Sequence, residues 1–281
     1  MYPRITVVTP SYNQAQFLEQ TILSVIGQQY PNLEYIILDG GSKDGSVEII
    51  KKYEQHLKYW ESAPDGGQAA AINKGFDMAT GEILGWLNSD DMYMPGALHT
   101  VAKLLDKTST NRVIFGNCLH FEEENTRKTR GSDVVEDHQY IELRLADYII
   151  QPSSFWTKKT FEDIGPLDTS LNYVFDWDWY IRAQQKGTDF LPVTPFLSMY
   201  RKHNAHKTGT GGEGRFNEVV QIYNRYNSEQ ELRALKKAHK MKRMKKGNKI
   251  LNRLLANKRL MYRLFFSELP SFKHFTSIFP R

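Results

Sequence analysis

The first 105 residues alternate short β-branched runs with stretches of helical spacing, and that alternation limits the fold more than any other feature. Residues 4–9 (Arg-Ile-Thr-Val-Val-Thr), 33–38, 59–62 and 83–87 read as strands, because each is a short apolar run bounded by turn residues. Between them, residues 16–29, 47–53 and 68–79 place apolar or small residues at helical period. The order βαβαβαβ predicts an α/β fold: a Rossmann-like, mostly parallel sheet with helices on both faces.

The strand ends carry the chemistry. Asp39 closes the second strand, Asp65 follows the third, and Asn88-Ser89-Asp90-Asp91 follows the fourth. Right-handed crossovers bring these ends to one sheet edge, where open α/β sheets bind ligands. Adjacent carboxylates repel, so Asp90-Asp91 reads either as a solvated turn or as a place where a cation relieves the repulsion. Neither a Gly-x-Gly-x-x-Gly run nor a P-loop occurs, which removes the best support for a dinucleotide oxidoreductase or a P-loop enzyme.

In the second half, Ala97, Leu98, Val101, Leu104 and Leu105 predict an amphipathic helix, and residues 112–115 and 119–121 two further strands. Residues 126–145 are polar and carry no clear period. Residues 151–156 read as extended and 160–164 as a short helix. Phe175-Asp176-Trp177-Asp178-Trp179 opens a helix with Asp176 at its N-cap. A carboxylate beside tryptophans suits general-base work, and equally a plain cap. His203, His206 and Lys207 precede Gly209-Thr210-Gly211-Gly212-Glu213-Gly214, read as a flexible basic loop able to close on phosphates.

Charge divides the chain. Residues 229–281 carry 15 Lys/Arg against 3 Asp/Glu, and residues 1–228 carry 22 against 29. Leu251, Leu254, Leu255, Leu264 and Phe265 follow approximately helical spacing in this extension. A basic amphipathic helix suits an anionic membrane surface; packing of its apolar stripe on the body and nucleic-acid binding are the other readings. The body has no matching basic motif, so no nucleic acid is expected. The single cysteine, Cys118, excludes an internal disulfide framework and a cysteine zinc site, in keeping with a reducing compartment. Neither a secretory signal nor a membrane-length apolar run is visible.

Five pieces in order resemble the family 2 glycosyltransferases, which have the GT-A fold. They are residues 6–13 (Thr-Val-Val-Thr-Pro-Ser-Tyr-Asn), 38–46 (Leu-Asp-Gly-Gly-Ser-Lys-Asp-Gly-Ser), Asn73-Lys74-Gly75, Ala79-Thr80-Gly81-Glu82 and Asn88-Ser89-Asp90-Asp91. Beyond residue 105 the match is looser: Gly165-Pro166-Leu167-Asp168, Asp176-Trp177-Asp178 and Tyr200-Arg201-Lys202-His203. The resemblance implies a domain over 1–228, with a nucleotide-binding half (1–105) and an acceptor-binding half (106–228), before the extension 229–281. It implies a nucleotide-sugar donor with UDP favoured, a divalent metal (Mn2+ or Mg2+), inversion at the anomeric carbon, and a glycan or lipid-linked acceptor. By position, Thr9, Pro10, Tyr12 and Lys74 are expected at the nucleotide and Asp39 at the base edge. Asp90 is expected near the ribose or metal-bound water, Asp91 and His203 on the metal, and Lys207 and Thr208 at the diphosphate. Asp176 is the expected base.

Two positions depart from the family's pattern. Asn88 stands where an Asp-x-Asp motif has its first carboxylate, and Phe175 replaces the glutamate of a Glu-Asp base motif, which leaves Asp178 as a rival base. Gln-x-x-Arg-Trp, found in processive members, is absent, which favours transfer of one sugar. The expected protein is an enzyme at the cytoplasmic face of a membrane, with a catalytically silent nucleotide-sugar-binding or membrane-adaptor protein of the same fold as the alternative.

Overall fold

A computed structural model describes residues 2–105, 110–122, 128–204 and 206–244, without the side chains of Thr208 and 241–244. The chain divides into two compact units: residues 1–135 with 149–211, and residues 136–148 with 212–281.

The first unit contains a sheet of nine strands among the described residues. Its parallel core is β1 (Ile5–Ser11), β2 (Leu33–Asp39), β3 (Tyr59–Ser62) and β4 (Ile83–Trp86), in the order β3-β2-β1-β4. Central strands covered on both faces read as largely apolar runs, and every residue of β1 and β4 is buried, the polar Thr6, Thr9 and Ser11 included. Helices α1 (Ala15–Ile26), α2 (Ser46–Lys52) and α3 (Gln68–Met78) supply the crossovers. Gly75 lets α3 lie on β1: a Cβ there would stand 2.5 Å from Val8 Cγ1. The α/β class and the parallel pairing of these strands follow the sequence expectation.

Beyond β4 the sheet turns mixed. A short β5 (Met92–Tyr93) and α4 (Ala97–Leu104) lead to β6 (Arg112–Glu122), β7 (Arg130–Gly131), α5 (Val134–Tyr140), β8 (Ser154–Thr157) and α6 (Lys158–Ile164). Then come α7 (Phe175–Gln185), β9 (Asp189–Lys202) and α8 (Lys207–Thr210). Strand β8 runs antiparallel between β4 and β6, while β9 runs parallel to β6 and antiparallel to β5. The two strands expected over 112–121 form one, because register shifts on either side of Asn117 keep β6 paired with β9 across Pro192 and Pro195.

An aromatic ladder seats α7. Trp156 lies between Trp86 and Trp179, with ring centroids 5.4 Å and 4.7 Å away, and Phe76 packs 5.7 Å from Trp156. Each such pair contributes about 0.5–1.5 kcal/mol beyond its buried area. Trp179 Nε1 also donates to the Gly165 carbonyl at 2.9 Å, tying the helix to the turn before it.

The second unit contains α9 (Gly212–Tyr226) and α10 (Glu229–Met244). Ser228 caps α10 by exchange with Glu231: Ser228 N–H donates to Glu231 Oε2 at 2.8 Å and Glu231 N–H to Ser228 Oγ at 3.3 Å. Arg144 closes an ion pair with the buried Glu231 at 2.9 Å. The His239 ring stacks on Phe216 with centroids 3.4 Å apart. Ala234, Leu235 and Ala238 are buried, while Lys236, Lys237 and Lys240 are exposed. The remainder of the basic extension, including the leucines and phenylalanines read as membrane-facing, lies outside the described residues. Among the described residues no helix is long and apolar enough to cross a membrane. Residues 209–214, expected as a flexible loop, instead end α8 and begin α9, and Gly212 has φ 49°.

Candidate active site

The loops after β1 and β2 are laced together. Asp39 is 2% exposed, and its carboxylate accepts from Gly41 N–H (3.1 Å), Ser42 N–H (2.9 Å), Ser42 Oγ (2.5 Å) and Ser62 Oγ (2.6 Å). Asn13 N–H donates to Ser42 Oγ at 2.7 Å, and Lys43 N–H returns to Asn13 Oδ1 at 3.0 Å. Asp44 reaches across to cap α1, accepting Ala15 N–H at 2.9 Å. Burial would raise the Asp44 carboxyl, but donors from Ser46 and the Ala15 amide outweigh it and hold it below the usual range. Asp39, expected at the base edge, braces this loop through these bonds.

What faces outward here is Tyr12, 63% exposed at the end of β1. Thr9 is buried and shares a hydrogen bond with the Tyr35 hydroxyl at 3.0 Å, and Pro10 is buried beside it. Gly40 brings backbone close to two side chains: a Cβ there would lie 3.1 Å from Asp65 Oδ2 and 3.2 Å from the Tyr12 ring. The result is a shallow platform of one aromatic ring, one half-buried carboxylate and bare backbone. Lys74, half-exposed on α3, pairs with Glu61 at 2.7 Å.

The carboxylate pair after β4 is split by burial. Asp91 is 1% exposed: Oδ1 accepts Arg201 N–H at 3.1 Å, and Asn88 Nδ2 lies 3.5 Å from Oδ2. Burial pushes the Asp91 carboxyl well above the usual carboxylate range, and the neighbouring Asp90 charge adds to this. Asp90 is half-buried, and its Oδ2 lies 3.0 Å from His203 Nε2. The imidazole is held from its other side by the Phe17 ring, centroids 4.6 Å apart.

Arg201 organises this corner, a role the sequence reading did not assign to it. Its side chain is 1% exposed and donates to the Asp90 carbonyl at 3.0 Å and to Gln20 Oε1 at 2.5 Å. The guanidinium lies 4.7 Å and 4.9 Å from the Phe17 and Phe121 ring centroids. A buried cation needs such partners. The run Tyr200-Arg201-Lys202-His203 held the signal, since residues 201 and 203 alternate to one side of a strand end.

Asp176 and Asp178 separate as clearly. Asp176 sits in the first turn of α7 and is not its N-cap, which is Val174. It is half-buried and accepts Trp177 N–H at 2.8 Å. Asp178 is buried and paired with Arg182 at 2.9 Å, and Arg182 in turn donates to the Ile164 and Pro166 carbonyls at 3.1 and 2.8 Å. Asp178 therefore anchors the helix. Lys207 on α8 lies 5.7 Å from the Phe175 ring centroid and 5.8 Å from that of Tyr173, next to Asp176 in sequence. Thr208 follows in α8, its side chain outside the described residues.

The residues at Asp90 suit a divalent cation in one particular mode. Among the described residues no three His, Cys, Asp or Glu side chains converge as a metal cage. A carboxylate and an imidazole leave most of a coordination shell to a ligand and water, which is how Mg2+ and Mn2+ are held with substrate phosphates.

A GT-A-type α/β sheet with carboxylates along the open edge of its parallel strands is the architecture of a nucleotide-sugar glycosyltransferase. The chain belongs to glycosyl transferase family 2, which it matches over residues 6–166. An uncharacterized glycosyltransferase of Mycobacterium tuberculosis H37Rv is 39% identical over 187 residues, covering 64% of this chain and 69% of the relative. One from Rickettsia typhi is 25% identical over 218 residues, covering 74% and 67%. Two solved structures share the fold. S. aureus TarS 1–349 in complex with UDP-GlcNAc has a TM-score of 0.61 at 17% identity, covering 78% of this chain and 65% of that one. A mannosyltransferase from Pyrobaculum calidifontis with GDP-Man and Mn2+ has a TM-score of 0.61 at 19% identity, covering 80% and 64%. The chain thus spans about two thirds of the length of these proteins.

Proposed function

We propose that this glycosyltransferase moves one sugar, with inversion, from a nucleotide diphosphate sugar to a glycan or lipid-linked acceptor. The observation that carries this reading is the pairing of Asp90 with His203. These donors come from residues 113 positions apart, and they meet at the sheet edge that carries Tyr12 and Asp65. The geometry favours moving the metal role expected of Asp91 to Asp90. Asp90 and His203 would hold Mn2+ or Mg2+, while the sealed Asp91 fixes the end of β9 through Arg201 N–H. The cation would neutralise charge on the leaving diphosphate.

Tyr12 offers a ring on which the nucleobase can stack. Thr9 and Pro10 shape the strand end beneath it. UDP donors remain favoured only by the family's habits. Asp176, half-buried and outside the Asp178–Arg182 pair, is the base that accepts the acceptor hydroxyl's proton. Transfer at a cytoplasmic membrane face, through the basic extension, fits a lipid-linked acceptor.

The test is turnover across UDP-, GDP- and dTDP-sugars with Mn2+, using broad acceptors. Asp176→Asn should lower kcat about 100- to 10,000-fold with the fold intact. Asp178→Asn should mainly lower the melting temperature, because it leaves Arg182 without its buried partner. Full activity in Asp176→Asn would remove this base, and donor binding without turnover on any acceptor would point to the silent alternative.

A further inference from the structure

Asn88 stands where an aspartate is usual, and its neighbours show what the amide does. Lys207 Nζ donates to Gln68 Oε1 at 2.9 Å, and Gln68 Nε2 donates to Asn88 Oδ1 at 2.8 Å. Asn88 Nδ2 then donates to Gln151 Oε1 at 3.3 Å, and Gln151 Nε2 to the Trp86 carbonyl at 2.8 Å. Each amide accepts through oxygen and donates through nitrogen, so the run has one sense, from an ammonium to a backbone carbonyl of β4. Hydrogen bonds in such a chain polarise one another.

A carboxylate at position 88 could accept from Gln68 but could donate to neither Gln151 nor Asp91. It would also set a third carboxyl group beside Asp90 and Asp91. Only a side chain that both accepts and donates completes the run. At the far end, the Tyr173 and Phe175 rings meet the same ammonium, within cation–π range. The two departures from the family's pattern, Asn88 and Phe175, thus converge on Lys207.

We propose that Gln68 and Asn88 are positioning residues for Lys207, tying its ammonium to the strand that presents Asp90. Asn88 is then the centre of an amide relay and not a lost metal ligand. The link to the diphosphate rests on the proposed function, whereas the relay belongs to the chain alone.

Two measurements on the full chain separate these. In the first, lysine acetylation by a succinimidyl acetate is followed residue by residue by mass spectrometry without ligand. Gln68→Ala and Asn88→Leu, the latter removing the acceptor of Gln68 Nε2, should each speed labelling of Lys207 about threefold or more, as expected for a lost or loosened charge-assisted hydrogen bond. Exposed Lys58 should be unchanged. Equal Lys207 rates in all three proteins overturn the relay.

In the second, UDP and GDP, each with Mn2+, are titrated calorimetrically. Gln68→Ala and Lys207→Ala should each weaken binding about 5- to 10-fold, and the double variant no further than the weaker single, because both break one chain. Asn88→Leu should also weaken it. Multiplying effects in the double variant, or tighter binding in Asn88→Leu, overturn the proposal. If wild type binds neither nucleotide, the proposed function fails, and the labelling result still decides the relay.

Discussion

Asp39 and Asp90 occupy matching places and meet opposite fates. Each follows a strand that flanks β1, Asp39 at the end of β2 and Asp90 after β4. Asp39 is saturated by four donors from its own loop and from Ser62. Asp90 stays half-buried and turns to an imidazole supplied by a distant strand end. Being at the carboxyl edge does not make a carboxylate a ligand site. The number of internal donors decides: a saturated carboxylate holds the fold, and an unsaturated one is available for chemistry.

The contrast is broken most directly at Asp90. Asp90→Asn should lower turnover about 100- to 1,000-fold through lost charge stabilisation, with little change in melting temperature. Asp39→Asn should do the reverse, costing about 1–3 kcal/mol of stability by putting an amide NH2 where a carboxylate oxygen accepts and by removing the charge that its donors serve. Denaturant titration and donor turnover on the same preparations give both values. If Asp39→Asn unfolds no earlier than wild type yet loses donor affinity, Asp39 reads the base edge and the distinction collapses.

His203→Gln probes the partner. It should raise the Mn2+ concentration needed for half-maximal turnover about 10- to 100-fold while leaving turnover at saturating Mn2+ less affected. An unchanged Mn2+ requirement would make His203 a packing residue on Phe17.

The smallest effect concerns saturation alone. Glu34 is buried; burial would raise its carboxyl, but donors from Thr6 and Thr80 win and hold it below the usual range. A carboxyl depressed in the folded state adds stability above its unfolded pKa, and that stability is lost as pH falls through the folded one. Glu34→Gln should therefore cost about 1–2 kcal/mol at pH 7 and flatten the loss of stability below about pH 4. Parallel acid curves for variant and wild type would remove Glu34 from this role.

The sequence was most informative where neighbours in the chain become neighbours in space. Strands β1 to β4 and their helices were legible because period and turn residues sit within each element. The motif pieces were visible too, yet several have structural work. Gly75 admits Val8, and Asn73 clamps Leu167, accepting its N–H and donating to its carbonyl, each at 2.9 Å. What stayed hidden was long-range satisfaction. No local rule tells that Asp39 finds Ser62, that Asp91 finds the backbone of Arg201, or that Asn88 lies between Gln68 and Gln151. The mixed half was less legible for the same reason, since β6 is kept continuous by its pairing with β9 and not by its own residues.

Strand β9 has a consequence for how the protein comes into being. It delivers Arg201 and brings His203 to Asp90, yet it lies beyond residue 166, where the family match ends. During synthesis, β1 to β4 are complete more than a hundred residues before His203 emerges. Until then Asp91 lacks the Arg201 amide, and the space between Phe17 and Phe121 lacks its guanidinium. A nascent or truncated chain can own every family motif through Asn88-Ser89-Asp90-Asp91 and still hold no finished site. With Asp90 and His203 in the roles proposed for them, competence arrives with β9, as a late assembly step.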